Sequence, residues 1–222
     1  MAFIRQYRPS DFDDMANICR MTLAPDLTGS EAAWRLAPYI WTHQYTHLSP
    51  ATCFVVDDGA GRAVGYCIGC PSVDAFVEGY GRYVDEVLEP SAEVVRPGDV
   101  AGAREPWLLA DSGKINETCL AQTAYNPRWL LVEGNEDVLG EGYRATMHVD
   151  LLESWQGKGW GRRLVERFVK EVRARRAGDC RGIGIGVASS NRKVVAFYEK
   201  LGFREWEEKD PEASGIRMVK DL

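Results

Sequence analysis

The chain has 222 residues, 45% of them hydrophobic and 27% charged, with a formal net charge of -6. That length suits one large domain, the acidic balance argues against a general nucleic-acid binder, and no apolar run reaches the roughly 20 residues of a membrane span. The charge is uneven, because residues 156 to 176 hold eight Lys or Arg against two Glu, a local +6 that leaves -12 on the remainder.

The opening "MAFIRQYRPSDFDD" has neither an apolar stretch nor a cleavage-site pattern, so no secretory signal is expected. Six cysteines without regular spacing then read as reduced thiols of a cytoplasmic protein. Cys67 and Cys70 form a CxxC inside the strand-like "GYCIGCP", and with no second pair they read as structural thiols rather than metal or redox groups.

Ile4 and Tyr7 lie in a short edge strand. Ser10 is a plausible cap for a helix that places Phe12, Met15, Ile18 and Cys19 on one face. A second helix starts near Ser30 and runs through "EAAWRLAPYIWTHQYTHL", with His43 and His47 on a polar face. "TCFVVDDGAGRAVGYCIGCP" reads as a hairpin turning at Asp58, Gly59 and Gly61. Residues 74 to 89 have helical spacing. From about 90 to 142 the pattern weakens, and a stretch of that length implies either short helices or a functional cover. "ATMHVDLL" is a strand, "LVERFVKEVRARRAG" a helix ended by Gly178, and "RGIGIGVA" a strand. "SSNRKVVAFYEKLG" reads as a helix stopped by Gly202, and "FREWEE" with "GIRMVKDL" as an antiparallel pair. Strand, helix, strand, helix, strand in the last third indicates α/β architecture with a partly parallel sheet.

The turn "QGKGWGRRL", residues 156 to 164, joins a strand to a basic helix. Its glycines let backbone amides approach a guest, and the helix N-terminus adds positive potential, so an anion such as a phosphate is the natural ligand. Lys158 and Arg162 stand near enough to meet phosphate oxygens. The spacing is neither that of the mononucleotide P-loop nor GxGxxG; it is QxxGxG, formed by Gln156, Gly157, Lys158, Gly159, Trp160 and Gly161.

With "NRKVVAFYEKLGF" some 35 residues later, this turn resembles the GCN5-related N-acetyltransferase (GNAT) superfamily. More narrowly, "HVDLLESWQGKGWGRRL" is similar to the acetyltransferase-like domains found with O-GlcNAcases and to related fungal proteins. The resemblance implies a GNAT fold: a mixed central sheet of about six to seven strands, splayed between the fourth and fifth, flanked by helices. The expected layout is one domain over 1–222 with a long insertion at about 74–142 between the third and fourth strands. It implies acetyl-CoA as co-substrate, with its pyrophosphate on the amides of residues 156 to 162. Asn191 would bond the pantetheine arm, Tyr198 would serve the leaving sulfur, and the amide of Leu151 or Leu152 would polarise the thioester carbonyl.

The acceptor would be a small-molecule or peptide amine, attacking the thioester directly, with no nucleic-acid or membrane partner. The family's common Glu position is occupied by Gly186. His148 and Asp150, two apart on one strand face, are the remaining candidates for accepting the amine's proton, although both also suit structural roles. The aromatic content of 74–142, with Trp34, Tyr39 and Trp41, suggests a cover over the acceptor site. An acyl-CoA-binding module without transfer activity is the competing expectation.

Overall fold

The computed structural model describes residues 1–100, 102–175, 179–207 and 215–222. β1 (Phe3–Gln6), β2 (Phe54–Asp57), β3 (Ala63–Cys70) and β4 (Thr146–Leu151) form one antiparallel sheet in that order. β5 (Gly182–Val187), β6 (Arg204–Glu205) and β7 (Ile216–Asp221) form a second, ordered β5-β7-β6. Among the described residues the two meet at one parallel bridge, Ala145 with Ile183. Seven strands among the described residues, helices on both faces and a divergence between β4 and β5 make this the expected mixed α/β fold.

Helices fill the intervals. α1 (Phe12–Met21), α2 (Glu31–Trp41) and α3 (His43–Leu48) precede β2. Between β3 and β4 come α4 (Val73–Glu78), α5 (Tyr80–Tyr83), a π-helical turn at Val84–Leu88, α6 (Glu117–Tyr125), α7 (Pro127–Leu131) and α8 (Glu136–Gly140). α9 (Trp160–Arg175) links β4 to β5, and α10 (Val195–Glu199) precedes β6. Gly178, expected to end α9, and Arg176 lie outside the described residues.

Strand alternation sorts side chains into two cores, one on each face of the sheet. Tyr66, Ile68 and Cys70 of β3 face a core shared with α1 to α6. Phe54, Val56, Cys67 and Met147 face the other, where α9 buries Leu164, Val165, Phe168, Val169 and Val172 at the helical period. Cys67 and Cys70, three apart on a strand, therefore belong to opposite cores and remain free thiols.

Two predicted helices are broken. The second ends at Thr42, which leaves helical geometry (φ -129°, ψ -62°) before α3 resumes. Pro38 lacks an N–H, so the Trp34 carbonyl one turn back accepts from Arg20 Nε at 2.9 Å instead. His43 is not on a polar face: it is buried, its ring stacked on Phe12 at 3.7 Å, and burial lowers its pKa to about 3. The stretch from Ser189 forms a 3₁₀ turn to Val194 with non-helical Asn191 (φ -107°, ψ 29°), and α10 adds five residues. Asn191 and Tyr198 thus do not share one continuous helical face. Ser and Asn side chains compete for the backbone, and tight 3₁₀ turns are common at helix starts.

Candidate active site

The divergence of the two sheets can be traced bond by bond. Ala145 N–H donates to Gly182 O at 3.2 Å and Gly184 N–H to Ala145 O at 2.8 Å. Beyond that pair, among the described residues, no backbone hydrogen bond links β4 to β5. β4 keeps its register with β3, and Leu152 N–H donates to Val64 O at 3.0 Å. Antiparallel ladders alternate which neighbour each residue's backbone addresses. Even-numbered residues of β4 therefore bond β3, while Met147, Val149 and Leu151 turn their N–H and C=O groups toward β5, across the gap. Of the two amides proposed for the thioester, that of Leu152 is committed to β3, and that of Leu151 faces the opening.

At the wide end of the gap lies the glycine turn. Gly157 (φ +70°) and Gly159 (φ +81°) sit in the left-handed region, and a Cβ at either would meet nothing within 4 Å. Glycine is needed there for backbone conformation rather than for space. Among the described residues, the amides of residues 157 to 162 have no acceptor, so the exposed turn and the first turn of α9 present a row of free donors at the positive end of a 16-residue helix. Gln156 folds back, donating from Nε2 to Leu151 O at 2.8 Å, which ties the turn to the end of β4.

The cations of this turn are engaged with protein groups. Lys158 Nζ donates to Ser154 O at 2.7 Å, and Arg162 Nε to Glu166 at 2.7 Å. Both are exposed, and such surface contacts contribute only about 0.2–0.5 kcal/mol, well below what a phosphate dianion offers. Arg163 lies 4.3 Å over the Trp160 ring, a stack that steadies the entry to α9. Gly161 packs where a Cβ would come within 3.3 Å of Leu151 and Phe197, so α9, β4 and α10 close together at this point.

His148 and Asp150 share a face of β4, opposite Ile68 and Tyr66. Each is half-buried, reached by solvent through the cleft but otherwise surrounded by protein. Burial pushes the Asp150 carboxyl up to about 6, an effect partly offset by the Tyr66 hydroxyl. The same burial lowers His148 to about 4, and its ring lies 5.5 Å from that of Tyr45. Tyr198 comes in from α10, packed edge-on against Phe197 and Phe203. Burial raises its pKa well above the ordinary 10, with the nearby Asp150 charge and Cys67 adding to the rise.

A cavity of about 140 Å³ occupies the narrow end of the gap, lined by Thr146, Met147, His148, Gly184 and Gly186 and roofed by α7 and α8. A Cβ on Gly186 would meet nothing within 4 Å, so no side chain fills this position of β5. α8 is fastened to β7: Asp137 accepts from Arg217 Nη1 at 2.5 Å and from Trp206 Nε1 at 2.7 Å. Sequence reasoning missed this fastening and missed Tyr66; neither carries a motif, and both depend on strand register.

The chain is similar to known proteins along its whole length. The family model described as Acetyltransferase (GNAT) family matches residues 18–203. The crystal structure of SsHAT is 28% identical with a TM-score of 0.77, covering 99% of this chain and 98% of that one. PH1933 from Pyrococcus horikoshii OT3 is 14% identical with a TM-score of 0.55, covering 100% and 99%. The NatC complex bound to Gag peptide and CoA is 10% identical with a TM-score of 0.50, covering 100% and 98%.

Proposed function

The chain belongs to the GNAT acetyltransferase family, and from that premise we propose that it is an acetyl-CoA-dependent N-acetyltransferase acting on a primary amine. The observation that carries this reading is the adjacency of two unsatisfied backbone arrays: the free amides of residues 157 to 162, and the β5-facing edge of β4 that lacks a partner strand. A pyrophosphate matches the first, and the peptide-like pantetheine arm, which has its own N–H and C=O groups, matches the second. Within this reading Gln156, Gly157, Lys158, Gly159, Trp160, Gly161, Arg162 and Asn191 hold the cofactor. The proposal extends to a narrower kinship, resting on the likeness of "HVDLLESWQGKGWGRRL" to the acetyltransferase-like domains that accompany O-GlcNAcases.

The chemistry is direct transfer. The amine lone pair attacks the thioester carbon while Leu151 N–H stabilises the developing oxyanion. The C–S bond breaks, the amide forms, and the amine's surplus proton passes to Asp150 and on to solvent through the cleft. The sulfur leaves as a thiolate. Because Tyr198 holds its proton more tightly than a free phenol, its part is to hydrogen-bond that thiolate rather than to surrender the proton outright. The chain is read as one domain, 1–222, in which the insertion at 74–142, with Trp34, Tyr39 and Trp41, forms the wall of the acceptor site. A cytoplasmic setting accords with six buried free thiols.

Isothermal titration with acetyl-CoA, beside desulfo-CoA and ATP, tests this. Tight binding of acetyl-CoA with much weaker binding of ATP is expected; no binding by folded protein sinks the proposal. The open position at Gly186 favours a second reading, an acyl-CoA-binding module. Tyr198→Phe separates the two: turnover lost with acetyl-CoA affinity retained indicates an enzyme, whereas unchanged trace activity indicates a module.

A further inference from the structure

Side chains of β5 alternate between the two faces of the sheet. Ile183, Ile185 and Val187 enter the core under α9, so Gly182, Gly184 and Gly186 lie on the other face, the one that carries Thr146 and His148 across the gap. Three glycines on one face leave a trough where side chains would ordinarily pack, and its three positions differ. A Cβ at Gly182 would collide with Lys220 O and the Tyr143 ring, so the trough is shut at that end. At Gly184 a Cβ would meet Val138 of α8 at 2.9 Å; at Gly186 it would meet nothing within 4 Å. The trough is therefore closed at the narrow end of the gap, roofed by α8 in its middle and open at Gly186.

The cavity of about 140 Å³ fills this trough. Val73, Leu130, Leu131, Val138 and Leu139 give it apolar walls. Its polar lining offers a guest no spare charge. The Tyr143 hydroxyl donates to Asp221 at 2.9 Å, and Arg217 is held by Asp137. His148 is neutral near pH 7 because burial lowers its pKa to about 4, and Thr146 and Asn135 are uncharged. A charged tail would lose its hydration there without gaining a partner, whereas an alkyl chain loses nothing. In size the cavity is close to an apolar cavity of about 150 Å³ that takes up benzene, so it suits about six carbons.

Direction selects the occupant. A pantetheine arm entering from the glycine turn comes in at the wide end, so whatever lies beyond the thioester carbon continues toward the narrow end, where the trough begins. We propose that this cavity receives the tail of an acyl group longer than acetyl, so that the protein takes medium-chain acyl-CoA as donor. This rests on the transferase reading of the site. The bonds exchanged are those of the acetyl reaction: nitrogen bonds the acyl carbon, the C–S bond breaks, the thiolate leaves and the amine's proton passes to Asp150. Gly186 is then a specificity-determining position, because a side chain there would occupy the mouth of the trough.

The test is isothermal titration of the whole chain with acetyl-, hexanoyl-, decanoyl- and palmitoyl-CoA, in wild type and Gly186→Leu. The better of hexanoyl- and decanoyl-CoA should bind wild type at least about tenfold more tightly than acetyl-CoA, because buried methylenes are added. Palmitoyl-CoA should bind no more tightly than that ligand, because the trough has a closed end. Gly186 is outside the left-handed region, so leucine is tolerated by the backbone. Gly186→Leu should abolish the advantage of the longer chain while acetyl-CoA affinity changes by less than about twofold. Equal affinities for acetyl and longer chains in wild type overturn the proposal, as does an advantage that survives in folded Gly186→Leu or grows further with palmitoyl-CoA. If that variant fails to fold, Leu130→Phe, which fills the cavity from its roof, takes its place with the same expected loss. Failure of the transferase reading shows separately, as absent binding of every acyl-CoA.

Discussion

Burial drives His148 and Asp150 in opposite directions, the imidazole down to about 4 and the carboxyl up to about 6. The carboxylate is therefore the stronger base, by about two orders of magnitude in proton affinity. Asp150→Asn is expected to lower kcat/KM by about 10²–10⁴, the usual range for losing a general base, while His148→Gln costs less than about tenfold. In steady-state rates over pH, kcat/KM should rise through about 6; a limb near 4 would move the role to His148. The same group carries a stability signature of definite sign. Its folded pKa lies above the ordinary 3.8, so the native state binds this proton more tightly, and the group's contribution falls as pH rises from about 4 to about 6. Asp57 behaves oppositely, because Arg5 and the amides of Gly59 and Gly61 lower its pKa, and its contribution is lost as pH falls through that lowered value.

At the scale of elements, the glycine turn was legible because a positive φ leaves a residue-type signature. Replacing Gly157 by Ala at φ +70° costs roughly 1–2 kcal/mol of backbone strain without any clash. Acetyl-CoA affinity, read by titration, should fall about tenfold or more, because the strain is relieved by withdrawing amides from the guest. Gly186→Ala, in open space, should leave that affinity unchanged. The β2–β3 hairpin and α9 were equally legible, the one from its turn residues and the other from a long apolar stripe. The break at Thr42 and the kink at Asn191 were not, because each is settled by tertiary contacts that override a continuous helical pattern. α6 to α8 are the short helices that one alternative for 90–142 allowed, but their positions were not legible, because helices of five to nine residues are held by packing rather than by propensity. The choice of Leu151 over Leu152 depends on ladder phase, which a sequence without partners does not contain. Tyr66 was hidden likewise, as one more aromatic at a strand position.

Across the whole molecule, the N-terminal strand is tied in by one cation. Arg5 donates from both terminal nitrogens to Asp11, at 2.6 and 2.8 Å, and from Nε to Asp57 at 2.8 Å. All three side chains are at most 8% exposed. Arg5→Met leaves two buried carboxylates without their partner and should cost about 3–5 kcal/mol, measured by urea unfolding; a loss under about 1 kcal/mol would mean that solvent reaches the carboxylates freely. Such ties matter more in a molecule whose sheet is interrupted. With two hydrogen bonds at Ala145 as the whole of the described β4–β5 seam, the two sheets are held together chiefly by the core under α9, to which Phe54, Val56, Cys67 and Met147 contribute from one and Ile183, Ile185, Val187 and Met218 from the other. A guest that bonds both lips acts as an eighth strand. By mass action such a guest would raise stability, and it would add hydrogen bonds across strand edges that side-chain packing alone holds together.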